Sequence, residues 1–417
     1  MQLTTYSFGT GDRFARQGTA QLNSVIKARE QGVHISPVWN KSYREHQIIG
    51  TSPREVREEA DQAVEKAGWE EPYFVDADHI GMDNVDYFLE YSDFFTIDVA
   101  DYIGKGTEVE AVDSFLELHQ DLIGTVKIRG IGEPFTITEA KMRQVVSDFW
   151  EAIAEVEKVY LYILENKDQK PVIEVSMDEV ETPQTPVELL LILRMLADRN
   201  IKLDTIALKF SGRFNKGVDY VGNVDQFARE FEQDLLVIDH AVREFGLPEQ
   251  LKLSVHSGSD KFSLYKPMHD LIMKHEKGLH LKTAGTTWLE ELIGLALAGN
   301  EAADIVKQIY RRALDRFEEL TAPYETVIDI SRSELPTAEE VSSWNGNHLA
   351  NALRHDPSHP DFNSSFRQLL HCAYKIAGEM GSDFTDALEA HEEIIGENVT
   401  YNLFNRHIAP LFLGEQY

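Results

Sequence analysis

Histidines stand at or near the ends of three separate apolar segments of this chain. They are His79, His256 and His280. Neutral imidazole nitrogens bind divalent cations such as zinc, nickel or manganese, and three of them leave a coordination position for a substrate. The chain has no compact His-Glu-x-x-His helix motif, so this interpretation depends on a fold that brings the three segment ends together. We therefore expect a divalent metal cation whose identity the sequence does not decide.

Carboxyl groups occupy the same kind of position. Asp78 directly precedes His79, and Asp178 and Glu179 follow the apolar segment that starts at Val172. Two carboxyl groups in different surroundings can act as general base and general acid. Because the chain is rich in acids, a solvated loop carboxylate is the competing interpretation for each of them. The choice depends on whether the fold gathers them with the histidines.

Further polar residues follow the later apolar segments and are candidates for substrate binding. They are Lys209, Arg213, Ser257, Asp260 and Lys282. Lysine and arginine would hold an anionic substrate, and the glycine-containing turn at Ser257 would offer backbone N–H groups. A single lysine at the end of a strand is more often a solvated charge, so these assignments also require a shared site.

The elements that must position these residues alternate between two kinds. Segments with the apolar, β-branched character of strands occur near residues 33, 73, 94, 172, 204, 251, 279 and 326. Helical segments separate most of them, and two capping boxes, Ser52 with Glu55 and Thr185 with Glu188, mark helix starts. This alternation predicts an α/β fold, a parallel (β/α)8 barrel of the TIM type, whose carboxyl strand ends meet at one mouth. An open doubly wound sheet is the alternative.

The C-terminal part of the sequence differs from the rest. From about residue 331 to residue 417 it is predicted to be mostly helical, and no repeat or Pro/Gly/Ser-rich linker separates it from the preceding residues. We therefore predict a single barrel domain over residues 1–417, with a helical C-terminal extension.

The segment SFGTGDRF, residues 7–14, is the one place that suggests a nucleotide. Its glycines at positions 9 and 11 resemble the start of a dinucleotide fingerprint, but the third glycine is missing and no clear strand precedes it. A tight loop that places Asp12 and Arg13 is the favoured interpretation.

Composition excludes several classes of partner. Acidic residues outnumber basic ones by 71 to 40, which gives a formal net charge of −31, so nucleic acid is not an expected partner. Cys372 is the only cysteine, and intrachain disulfides and cysteine-based zinc sites are therefore excluded. The sequence shows no secretory leader and no apolar run of membrane-spanning length, so we expect a cytoplasmic protein without a membrane partner. A homo-oligomer remains open.

Motifs spread over nearly the whole chain resemble one family, the tagaturonate/fructuronate epimerases of hexuronate catabolism, whose relatives include tagatose 4-epimerases. No motif is specific alone, but together and in this order they are. They are SFGTGDRF (7–14), DADH (76–79), DEVETPQTPVE (178–188), KFSGRFNKGVDYVG (209–222), SVHSGSDKFSLY (254–265), HLKTAGTTWLE (280–290) and RQLLHCAYKIAGEMG (367–381). Val180 departs from the family pattern, which has threonine there.

The resemblance implies a metal-dependent epimerase that interconverts D-tagaturonate and D-fructuronate, the anionic sugars expected as small-molecule partners. It implies Asp78 as proton acceptor, Glu179 as proton donor, and the three histidines as metal ligands. Activity on fructose and tagatose at C4 is a further expectation. The alternatives are a class II-like aldolase or another metal-dependent carbohydrate enzyme on the same barrel, and a non-catalytic sugar-acid binding protein, which would not need these acids beside histidines.

Overall fold

A closed barrel of parallel strands forms the centre of the protein. The structure is a computed structural model and describes residues 2–283 and 285–415. The barrel strands are β1 Tyr6–Thr10, β2 Ile35–Ser42, β3 Phe74–Ile80, β4 Phe94–Asp98, β7 Val172–Ser176, β8 Thr205–Ala207, β9 Lys252–Val255 and β10 Leu279–Thr283. They follow one another around the barrel in sequence order, and β10 closes it against β1. This confirms the predicted (β/α)8 architecture.

A small antiparallel hairpin lies outside the barrel, between β4 and β7. It consists of β5, Gly124–Val126, and β6, Phe135–Ile137. The sequence predicts a hairpin over the same residues, around the glycines at positions 130 and 132.

Helices surround the barrel and continue beyond it. They are α1 Gly18–Glu30, α2 Tyr43–Ile49, α3 Pro53–Ala67, α4 Val109–Leu118, α5 Glu139–Asn166, α6 Pro186–Asp198, α7 Val224–Phe245, α8 Phe262–His275, α9 Thr286–Ala298, α10 Asn300–Asp315, α11 Phe317–Thr321, α12 Ala338–Ser343, α13 Gly346–Leu353, α14 Ser364–Cys372, α15 Tyr374–Met380, α16 Ser382–Ala390 and α17 Glu392–Tyr401. A π-type helix, Asn402–Leu413, follows α17. No helix of the described residues is long and apolar enough to cross a membrane.

Local sequence signals explain where α6 begins. The Thr185 hydroxyl accepts a hydrogen bond from the Glu188 backbone N–H at 3.3 Å, and the Glu188 carboxylate accepts one from the Thr185 N–H at 2.7 Å. Pro186 takes the first helical position, where a missing N–H has no cost. The helix therefore starts at a fixed distance after β7, and the loop between them carries Asp178 and Glu179, the second of which is one of the two acids predicted for catalysis.

Two predictions about strands were wrong, one a strand that does not form and one a strand that was missed, so the number of barrel strands is still eight. The segment at residues 326–330 forms no strand: its first residues lie in a 3₁₀ turn, Ala322–Val327, and the Asp329 backbone is hydrogen-bonded at both N–H and C=O by the Gln368 side chain. The eighth strand is instead β1, within the segment predicted to be a tight loop. Asp12 and Arg13 follow directly after it.

The strand β1 contains small residues and therefore lacks the run of large apolar side chains that predicts a buried strand. The structure shows why these residues are small. Ser7 lies beside His280 in the register of β1 and β10, and Gly9 lies beside Lys282. A Cβ added at Gly9 would come within 3.1 Å of the Lys282 Cγ atom. The glycine thus makes room for a lysine that enters the barrel interior.

The C-terminal helices pack on the barrel's own helices. Both α13 and α17 contact α9, and the π-type helix contacts α1 and α8. Residues after 331 are mostly helical, as the sequence predicts. Their inclusion in one domain over residues 1–417 stays a prediction.

Candidate active site

A cavity of about 300 Å³ opens at the carboxyl ends of the barrel strands. Predicted catalytic, metal-binding and substrate-binding residues line it together with cations that the sequence did not single out. The predicted residues in the lining are Asp78, His79, Asp178, Glu179, His256, Ser257 and Lys282. The fold therefore gathers most of the residues that were expected to share a site.

His79 owes its position to a distortion at the end of β3. The pairing of β3 with β4 shifts register between Ala77 and Ile80, and His79 has a left-handed backbone with φ of 54°. Its Nδ1 atom lies 2.7 Å from the Asp98 carboxylate, and its Nε2 atom lies 3.9 Å from Asp78. One nitrogen is thus held by a carboxylate, and the other is available at the cavity.

His256 is held in a similar way from the opposite side of the barrel. Its Nε2 atom lies 2.7 Å from Glu174, a fully buried carboxylate on β7, and its Nδ1 atom lies 3.2 Å from Asp178. The rings of His79 and His256 are 5.3 Å apart between centroids. A carboxylate on the far nitrogen is the usual support of a metal-binding histidine, because it fixes the tautomer and the ring orientation.

Two groups of side chains among the described residues have the spacing of metal ligands. One is His79 with Asp178 and His256, and the other is His79 with Asp98 and Glu179. Within each group the ligand atoms lie within 4.8 Å of one another. The donor set of imidazole nitrogen and carboxylate oxygen fits zinc, nickel or manganese.

The charges around these histidines favour a cation. Burial alone would lower the pKa of His79, but Asp78 and Asp98 outweigh it and raise the pKa to about 10. Burial is likewise outweighed at His256, chiefly by Asp178, and the pKa rises to about 9. The carboxylates thus attract positive charge to this place, either as protons on the imidazoles or as a divalent ion.

The Lys282 ammonium lies among three buried carboxylates, and we call this group the cavity network. Its Nζ atom is 2.8 Å from Asp76, 2.7 Å from Asp78 and 3.0 Å from Glu174. Burial raises the pKa of Asp76 to about 6. Burial also acts to raise the pKa of Asp78, but Lys282 outweighs it and lowers the pKa to about 2. The charge of Lys282 is already balanced, so this geometry favours a role in positioning Asp78 and Glu174 over the predicted role in binding substrate.

The structure does not bring His280 to the other histidines. It is fully buried, its Nδ1 atom lies 2.9 Å from the Ser7 hydroxyl, and burial lowers its pKa to about 3. It precedes Lys282 by two residues on β10, so it faces the same side roughly 7 Å deeper in the barrel. Among the described residues, the groups with the spacing of metal ligands include His79 and His256 but not His280.

Three residues predicted for substrate binding lie outside the cavity lining. Lys209 is half-buried on the loop after β8, and the Arg213 guanidinium donates to the Ile328 carbonyl at 2.9 Å. Asp260 is fully buried in an ion pair with Arg367 at 2.7 Å. The paths of the loops after β8 and β9 leave these residues outside the lining, which the sequence alone does not reveal.

Other residues of the site were missed. Glu174 had a signal, because a carboxylate in the middle of the buried strand β7 requires partners that balance its charge. Lys216 and His371, which also line the cavity, had only their membership of matching motifs. Both come from segments far from any strand end, Lys216 from a long loop and His371 from α14.

Comparison with known proteins identifies the family of this chain and shows that its fold is shared. The family model described as UxaE, tagaturonate epimerase, matches residues 1–410. The tagaturonate/fructuronate epimerase of Thermotoga maritima is 32% identical over 96% of this chain and 80% of its own length. Two crystal structures of fructuronate-tagaturonate epimerase UxaE from Cohnella laeviribosi, native and with one glycerol, share the fold with a TM-score of 0.80 at 24% identity, covering 99% of this chain and 82% of theirs. This chain belongs to the UxaE tagaturonate epimerase family.

Proposed function

We propose that this protein interconverts D-tagaturonate and D-fructuronate and that it requires a divalent metal ion. One observation carries the metal requirement. Asp98 holds the Nδ1 atom of His79 and Glu174 holds the Nε2 atom of His256, and the two imidazoles form with Asp178 a group whose ligand atoms lie within 4.8 Å of one another. Family membership supports the choice of substrates, since the relatives are epimerases of these two sugar acids.

His79, His256 and Asp178 would hold the ion, with Asp178 in the place that we expected for His280. Glu174 and Asp98 would orient the two imidazoles. A divalent ion bound there supplies Lewis-acid stabilisation of negative charge on the substrate.

Asp78 and Glu179 are the proposed base and acid. Asp78 is ionised because Lys282 lowers its pKa to about 2, and it can therefore accept a proton. Glu179 is exposed at the cavity and can exchange protons with solvent. Asp78 lies near the carboxyl end of β3 and Glu179 follows β7, with β4 between these strands, so the two carboxyl groups approach the cavity from different directions.

Retro-aldol chemistry accounts for the need for two such groups. The two sugar acids differ at a hydroxyl-bearing carbon β to the ketone, which removal and return of an α proton would not invert. Asp78 would take the hydroxyl proton, the adjacent carbon–carbon bond would break, and its electron pair would pass to the ketone fragment as an enolate. The aldehyde fragment would then turn its other face, the bond would re-form, and Glu179 would protonate the new alkoxide.

Two further possibilities share this site. Turnover of fructose and tagatose at C4 requires the same bond cleavage without the substrate carboxylate. A class II-like aldolase would use the same residues but release the two fragments. The barrel fold does not distinguish an epimerase from an aldolase, so the two are distinguished by the products that they form.

The test is NMR of D-tagaturonate incubated with protein stripped of metal and then reloaded with zinc, nickel or manganese. We expect D-fructuronate to appear only with reloaded protein and without net cleavage. Accumulation of three-carbon products would identify an aldolase. Equal turnover by the stripped protein, shown by elemental analysis to be free of metal, would refute the metal requirement.

A further inference from the structure

Four cationic side chains line the cavity, and they differ in how their charge is balanced. Lys282 belongs to the cavity network, and the Arg13 guanidinium lies 3.3 Å from Glu45 and over the Tyr374 ring. The other two are Lys216 and Arg44. Within residues 2–283 and 285–415, no carboxylate lies close enough to either of them to form an ion pair.

Lys216 is the more constrained of these two. Its side chain is half-buried, and its ammonium donates a hydrogen bond to the Ser257 hydroxyl at 3.1 Å. Burial lowers its pKa, while Glu179 and Glu45 act in the opposite direction from a distance. A poorly hydrated ammonium without a paired anion is unfavourable, and an anionic ligand in the cavity would remove that cost.

Ser257 connects this cation to the metal-binding residues. It directly follows His256 and has a left-handed backbone with φ of 50°, which directs its hydroxyl to Lys216. The ammonium therefore lies next to the residues proposed to hold the metal. In the proposed substrates the carboxylate is only two carbons from the carbon that is inverted, so the anion and the reacting bond must be near each other.

His371 is a second unpartnered polar group at the same cavity. It comes from α14 and is only 3% exposed, and its Nδ1 atom has no hydrogen-bond partner among the described residues. A Cβ added at Gly285 would collide with its Nε2 atom, and one at Gly217 would lie 3.6 Å from the ring. Two glycines thus let the imidazole approach the loops after β8 and β10.

The protonation of His371 suits it to hydroxyl groups. Burial, together with the positive charges of Arg13 and Lys216, keeps its pKa well below the usual value. The imidazole is therefore neutral, and it can donate one hydrogen bond and accept another.

We propose that Lys216, Arg44 and His371 form the subsite for the carboxylate end of a sugar acid. In this subsite Lys216 and Arg44 pair with the carboxylate, Ser257 orients the Lys216 ammonium, and His371 binds the neighbouring hydroxyl. The inference rests on the proposed function, and it makes the C-terminal helices part of substrate recognition.

Calorimetry with a matched pair of ligands tests the subsite independently of turnover. The metal-loaded protein is titrated with a six-carbon aldonate and with the corresponding hexitol, which lacks the carboxylate. We expect the wild type to bind the aldonate more tightly, on the order of 10²-fold. Lys216→Gln should remove most of this preference and leave hexitol binding unchanged. Equal binding of the two ligands by the wild type, or a preference retained in Lys216→Gln, would overturn the proposal.

Lys202→Gln is the matched control. It makes the same charge change on an exposed lysine just before β8, the strand whose following loop carries Lys216. It should keep the full preference for the aldonate. If Lys216→Gln lowers the melting temperature so far that binding cannot be measured, Arg44→Gln, at an exposed position, provides the same comparison.

Kinetics then separate failure of the subsite from failure of the proposed function. If wild type epimerises D-tagaturonate but Lys216→Gln has an unchanged KM, the subsite alone is refuted. If wild type turns over no hexulosonate while the aldonate preference depends on Lys216, the epimerase assignment alone is refuted. For His371, alanine should raise KM more than kcat falls, and His371→Asn, which keeps a donor and an acceptor, should partly restore KM. Equal KM values for these two variants would refute the hydrogen bond.

Discussion

Two buried networks of charged residues and histidines lie near the carboxyl ends of neighbouring strands, but only one of them borders the cavity. In the cavity network, Lys282 lies among carboxylates beside His79 and His256, and these two histidines line the cavity and form a metal-ligand group with Asp178. The second group, which we call the sealed network, surrounds Asp260 after β9. Its members are Asp260, Arg367, His355 and His407.

The sealed network leaves no charge unmatched. Arg367 pairs with Asp260 and donates its other N–H groups to the Gly217 and Leu353 carbonyls. Burial would raise the pKa of Asp260, but Arg367 outweighs it and holds the pKa well below its usual range. The comparison teaches that a buried charge at a barrel mouth indicates a ligand site only when the groups around it line an open cavity, as His79, His256 and Asp78 do.

The sharpest test within the cavity is between its histidines. His256→Ala should lose bound metal, because it removes a ligand held by Glu174 and Asp178, whereas His280→Ala should keep the metal. Elemental analysis of both purified variants measures the difference. Loss of metal from His280→Ala would restore the three-histidine cluster predicted from the sequence.

Breaking the sealed network should cost stability. Asp260→Asn leaves the Arg367 charge buried without its partner, and we expect the free energy of unfolding to fall by about 3–5 kcal/mol. Asp270→Asn, which breaks an exposed ion pair with Lys266 on α8, is the control and should change it by less than about 1 kcal/mol. Urea denaturation measures both. Similar small losses in the two variants would show that the sealed network contributes little.

Changing the proposed acid and base should instead cost turnover. Glu179→Gln and Asp78→Asn should each lower kcat on the order of 10²-fold or more with metal content unchanged. Glu181→Gln, an exposed acid on the same loop, should remain close to the wild type. Near-normal epimerisation by either catalytic variant in the NMR assay would contradict the role of that residue.

The smallest effect concerns Cys372, which shares α14 with Arg367 and His371. Burial raises the pKa of its thiol to about 12, so at pH 8 the thiol is protonated and shielded. An aromatic disulfide reagent should leave the native protein unlabelled and label one thiol per chain after denaturation. Faster labelling of Asp260→Asn than of the wild type would show that the sealed network keeps α14 in place, and equal rates would deny it that role.

Much of the fold could be predicted, because its signals are local. Seven of the barrel strands have buried apolar residues at the positions expected, and the capping boxes at Thr185 and Ser52 place two helix starts correctly. The strand β1 could not be found in this way. Its small residues fit against His280 and Lys282, and those partners are known only when the barrel is closed.

The part of the candidate site that lies at strand ends could also be predicted from the sequence. Residues directly at strand ends, such as Asp78, His79 and His256, reach the mouth because the barrel geometry leaves them little choice. Residues further along the loops do not obey this rule. Lys209 and Lys216 follow the same strand, and only the second lines the cavity, because the path of the loop decides.

The closure of the barrel has a consequence for how the protein is made. Ser7 on β1 contacts His280 on β10, which is 273 residues later in the chain. During synthesis β1 can pair early with β2, but its other edge has no partner until β10 has left the ribosome. Nascent chains that stop before β10 would expose that edge, which is a template for aggregation. Chaperone dependence of folding is therefore expected to follow from the position of a single strand.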